Sequence, residues 1–134
     1  MKYKSGQFIA GTISLSIQII HLWSKEPDIG LIRNRLSQFY VIAISAEVLS
    51  DGKLIENFLN KDDLDQLKNS LEKLLLELNE AVRNPLLTPD EFNSLMEGLR
   101  LGICQEIKTI KAKYGHMPIP SIQDWEEYKC INTP

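Results

Sequence analysis

The chain is short of the residues that most often carry chemistry. Its two histidines, His21 and His116, are far apart, which excludes a multi-histidine metal site. The two cysteines, Cys104 and Cys130, form neither a Cys-x-x-Cys motif nor a disulfide framework. The expectation is that both are reduced, with Cys104 a small core residue, in a cytoplasmic protein. No Gly-rich phosphate loop, His-Glu-x-x-His or Gly-x-Ser-x-Gly motif occurs, so no catalytic group, cofactor or metal is expected. Basic excess is lacking as well. Fifteen Lys and Arg against 18 Asp and Glu leave a net charge of −3, and nucleic acid is not an expected partner. The densest acidic run, Asp62-Asp63-Leu64-Asp65, lacks the glycine and alternating ligands of a calcium loop and reads as a helix N-terminus.

What remains is an ordinary globular composition, 43% hydrophobic and 25% charged, in a length that makes one domain. Against that background one stretch stands out, because from Ser5 to Ser24 no side chain is charged. Ile13, Leu15, Ile17 and Ile19 alternate with polar residues as in a strand. However, Lys4, Gln7, Gly11, Ser14, Gln18, His21 and Lys25 recur at spacings of three and four, which draws one wet stripe along a helix contacted on its other sides. Thr12 and Ser16 lie off that stripe. If buried, they must bond a backbone carbonyl one turn back or a neighbouring helix. Polar residues interrupt the run and no small-residue cleavage site follows it, so neither a signal peptide nor a membrane span is expected.

Three more helices follow from periodicity and capping. The second spans 28–50, opened by Pro27 and Asp28 and stopped at Ser50-Asp51-Gly52. The third spans 61–83, with Asn60 and Asp63 at its start and a seam of Leu64, Leu67, Leu71, Leu74, Leu78 and Ala81. The fourth spans 89–114, bounded by a Thr88–Glu91 capping box and Gly115. His116 to Pro120 must be extended, and Ser121 with Asp124 caps a short helix over 122–130 whose anchor is Trp125. The fold class is therefore all-α: an up-and-down bundle of four main helices over 1–115, with a C-terminal strap, 116–134, docking on it within one domain. The alternative is α+β, with a small hairpin within 39–58, because Phe39 to Ile44 are rich in β-formers and Asp51-Gly52 reads as a turn.

The expected function is a non-catalytic protein–protein interaction module, an adaptor, regulator or assembly factor that self-associates as a homo-oligomer or else binds another protein. Apolar surplus at Leu75, Leu76 and Val82, the glycine pair Gly98 and Gly102, and Trp125 are the interface candidates. A second reading is a small-ligand or enzymatic pocket near the first two helices, lined by His21, Arg33, Arg35 or Tyr40. A third, nucleic-acid binding through Arg33, Arg35, Arg100 and Lys108 to Lys113, ranks last.

Overall fold

The uncharged opening stretch forms one helix, α1 (Ser5–Lys25), in a computed structural model that describes residues 3–26 and 28–130. Around it stand α2 (Ile29–Ser37), α3 (Phe39–Ala43), α4 (Ala46–Phe58), α5 (Lys61–Val82), α6 (Pro89–Tyr114) and α7 (Pro120–Lys129). The fold is all-α. Among the described residues there is no strand, and neither the strand reading of the opening stretch nor the hairpin within 39–58 forms. Every one of the six other helices packs against α1. Ile9, Ala10, Ile13, Leu15 and Ile19 are buried, and no α1 residue from Ser5 to Ile20 is exposed.

The expected wet stripe is covered only in part, with Lys4, His21 and Lys25 exposed and Gln7, Ser14 and Gln18 half-buried. Gly11 is buried under the Phe39 ring, and the Gln7 side-chain amide donates to the Ala43 carbonyl at 3.0 Å. Thr12 and Ser16 are fully buried, but neither hydroxyl finds the carbonyl partner expected of it. Each unmade bond costs about 1–3 kcal/mol of desolvation. Such short side chains still suit a helix crowded on every side.

The second helix expected over 28–50 is three helices. Asp28 caps α2 by accepting from Gly30 N at 2.8 Å and Leu31 N at 3.4 Å; Pro27 lies outside the described residues. Near the end of α2, the Ser37 hydroxyl donates to the Asn34 carbonyl at 2.6 Å, a local bond that competes with helix continuation. The chain turns at Gln38, and Phe39 swings onto α1. Ser45 then restarts the helix by accepting from Val48 N at 3.3 Å. Asp51-Gly52, expected as a stop, lies inside α4 because its glycine serves packing instead. A Cβ on Gly6 would stand 2.2 Å from the Gly52 carbonyl oxygen, and one on Gly52 would stand 2.9 Å from Gln7 N. Only two glycines let α1 and α4 cross this closely.

α5 and α6 form a helical hairpin whose expected caps are present, Asn60 on Asp63 N and the reciprocal Thr88–Glu91 box. The seam is rotated from the one expected. Leu75 and Val82 are buried with Leu64, Leu67, Leu71 and Leu78, while Leu74 and Ala81 are only partly covered. A straight helix drifts from a strict seven-residue repeat, and α5 also packs on α1 and α2.

The strap docks through Met117, Ile119, Ile122 and Trp125, all buried; Ile131 and the residues after it lie outside the described ones. α7 begins at Pro120, and its Ser121 amide is capped by Asp51 at 3.0 Å rather than by Ser121 itself. The cysteines are not reduced. Cys104 of α6 and Cys130 at the end of α7 form a disulfide with a Cα separation of 5.7 Å, and Trp125 Nε1 donates to Cys104 Sγ at 3.1 Å. Sequence spacing carries no sign of this pair, because only the docking of α7 on α6 brings it together. Closing a loop of 26 residues contributes about 3.5 kcal/mol in the chain-entropy account.

The glycines yield opposite expectations. Gly6→Ala lacks room at the α1–α4 crossing and should cost about 1–3 kcal/mol in urea unfolding. At Gly98 nothing lies within 4 Å of an added Cβ, so Gly98→Ala should stabilise by up to about 1 kcal/mol. Equal effects at the two positions would mean that α1 and α4 do not cross there.

Candidate functional site

Most of the interface candidates read from sequence are used inside the chain. Leu75, Val82 and Trp125 are core residues, and Gly102 accommodates the Leu74 side chain, whose methyl carbons lie 2.9 Å and 3.0 Å from an added Cβ. Leu76 and Gly98 are the two that face outward. Leu76 is 54% exposed but stands alone, one turn from Glu72, Lys73 and Glu80 on the same helix.

The ligand candidates do not converge. Arg33 reaches across to the C-terminal end of α5, where its Nε and Nη2 donate to the Val82 carbonyl at 2.9 Å and 2.7 Å. There it caps orphan acceptors and meets the negative end of the helix dipole. Arg35 is half-buried, His21 is exposed, and Tyr40 projects from α3. None of these four residues lines the cavities of about 700, 570 and 550 Å³ that open elsewhere.

One cavity, of about 700 Å³, lies between α1, α4 and the start of α7. It is where the wet stripe of α1 does open, at Ser14 and Gln18. Its carboxylates, Glu47, Asp51 and Asp124, sit at the N-terminal halves of α4 and α7, and Asp51 is already engaged by the Ser121 amide. A second, of about 570 Å³, follows the α5–α6 groove past Leu74, Leu95 and Gly98. A third, of about 550 Å³, lies where the start of α1 crosses α4, lined by Lys4, Gln7, Leu49, Gly52, Lys53, Glu56 and Asn57. Among the described residues no cluster of His, Cys, Asp or Glu could hold a metal ion.

The feature with the least structural explanation is the corner formed by α3 and the first turns of α4. From Gln38 to Ala46 the chain carries no charge. A five-residue helix cannot bury every side of so apolar a run. Phe39 packs on Phe8, and Ile42 and Ala43 are buried. Tyr40, Val41 and Ile44 point the other way and are 58%, 51% and 51% exposed, with Leu49 following at 42%. Gln7 links this corner to the third cavity, since it bonds Ala43 on one side and lines the cavity beside Leu49 on the other. In sequence the same apolar run reads as a helix stripe or a strand, both of them core elements. The signal for a surface is the missing charge.

No protein-family model, curated protein or solved structure matches this chain. The site must be read from its own geometry.

A further polar cluster joins the ends of the α5–α6 hairpin. The Tyr114 hydroxyl donates to Asp63 Oδ2 at 2.5 Å and accepts from Asn60 N at 3.0 Å, while Lys113 Nζ lies 2.7 Å from the same carboxylate. Of the acidic run at the start of α5, Asp63 is thus the member tied across to α6. Hydrogen bonding from Lys113, then from Tyr114, holds its carboxyl below the ordinary value of 3.8. A carboxylate with a depressed folded pKa contributes stability above its unfolded value and loses it as pH falls through the folded one. We therefore expect Asp63→Asn to lower the urea midpoint at neutral pH and to flatten the loss of stability below pH 3.8, measured by denaturation across pH. An unchanged acid slope would remove Asp63 from that role.

Proposed function

We propose that this chain is a protein-interaction module whose docking surface is the α3–α4 corner. The observation that carries the reading is the row Tyr40, Val41, Ile44 and Leu49, large apolar side chains left in water at one corner. Exposed apolar area forgoes about 25 cal/mol per Å², and contiguous apolar patches on globular proteins mark surfaces covered by a partner. The other exposed large apolar residues among the described ones, Leu31, Leu54, Leu76, Leu86 and Leu101, are spread along the chain and need no such account.

The partner is read as a different protein in preference to a second copy. A second copy would present the same lining, Lys4 and Lys53 against the single acid Glu56, and a like net charge on both sides opposes association. No helix among the described residues is long and apolar enough to cross a membrane. The cytoplasmic placement expected from the cysteine spacing loses its basis with the Cys104–Cys130 disulfide, which favours an oxidising compartment.

Site-specific photo-crosslinking in the cells that produce the protein tests this reading. A photoreactive residue at Val41 or Ile44 should yield discrete adducts, and one at Glu80 on the far face of α5 should not. An adduct of twice the chain's mass would identify a second copy as the partner. Absence of adducts from both corner positions would end the proposal.

A further inference from the structure

The third cavity supplies the chemistry that the apolar corner lacks. Lys4 and Lys53 are exposed, line that cavity together, and form no ion pair with a described residue. Asn57 adds a side-chain amide, which donates hydrogen bonds, and Gln7 lines the same cavity with its amide on the Ala43 carbonyl. Glu56 is the one acid in the lining, and its Oε1 is already taken by Gly6 N at 2.7 Å. Two ammonium groups against one engaged carboxylate leave the lining net positive, on a protein whose total charge is −3. Leu49 and Gln7 join this basic hollow to the apolar corner, whose one charge within the first turn of α4 is the exposed Glu47.

We propose that the corner and cavity together bind an acidic amphipathic segment of a partner protein, with apolar side chains on Tyr40, Val41 and Ile44 and a carboxylate seated between Lys4 and Lys53. The proposal rests on the interaction reading above and names the chemistry of its partner. An amphipathic segment is the form that offers both surfaces at once, apolar residues at helical spacing and charge beside them. The same groups could meet anionic lipid, but a concave cavity of about 550 Å³ seats a side chain and not a flat bilayer.

Fluorescence anisotropy with two labelled peptides provides the test. Both carry leucines at helical spacing; one has glutamates elsewhere and the other has lysines. The glutamate peptide should bind the full chain more tightly, and the more so at low salt. Replacing both lysines, Lys4→Gln with Lys53→Gln, should weaken it about tenfold, and Ile44→Glu should remove binding. All three positions are exposed, so circular dichroism should show the variants folded. Equal binding of the two peptides, with Ile44→Glu removing both, would overturn the acidic assignment while leaving the docking reading intact. Failure of the glutamate peptide to bind, or binding insensitive to the two lysines, would overturn the assignment, and the photo-adducts at Val41 and Ile44 would decide the docking reading separately. Preference for vesicles of phosphatidylcholine with phosphatidylserine over both peptides would assign the corner to a membrane surface and overturn the proposal.

Discussion

A helix with no charge from Ser5 to Ser24 cannot be left at a surface, and enclosing it is the constraint that shapes this molecule. Six helices are laid around α1, and three of them show a local feature that their place requires. α4 carries a glycine in its interior so that it can cross Gly6. α3 is a single short turn of helix because Phe39 must lie on Gly11. α7 returns along α6 and α1 under Trp125 and is fastened by a disulfide. Where the ring of helices is thinnest, at α3, the chain runs out of length to bury both faces.

That shortage connects packing to the proposed role. Tyr40 and Val41, with Ile44 just past the end of α3, are exposed because Phe39, Ile42 and Ala43 of that five-residue helix are needed against α1. The same crossing that requires Gly6 and Gly52 opens the hollow lined by Lys4 and Lys53 beside them. An apolar corner and a basic hollow are thus two results of one arrangement. Elsewhere the surface is well matched internally, with Arg33 on the Val82 carbonyl and Lys113 and Tyr114 on Asp63.

Features that depend on near neighbours along the chain are legible in the amino-acid sequence. The Thr88–Glu91 box, the Asn60 cap on Asp63 and the Gly115 stop are contacts within one turn, and helices α1, α5 and α6 lie close to where they are expected. What is not legible is what distant segments do to each other. Gly52 reads as a stop signal until Gly6 is seen across from it, and Cys104 reads as a lone core thiol until α7 brings Cys130 beside it. Leu75 and Val82 read as surplus because periodicity cannot count how many neighbours a helix has, whereas Trp125 is the anchor it is expected to be. The exposed corner is hidden for the converse reason: its residues look like core, and only the brevity of α3 leaves them outside.

Native-state hydrogen exchange tests the central claim, that α1 is the enclosed organising helix and that α3, five residues long, is held by its packing on α1 and not by a helix of its own. Amides of Ile9 to Ile19 should exchange only through global unfolding, with the free energy measured by urea denaturation. Amides of Val41 to Ile44 should open locally, at least ~2 kcal/mol more easily. Protection of α3 equal to that of α1, or exchange of α1 through a local opening, would contradict this account.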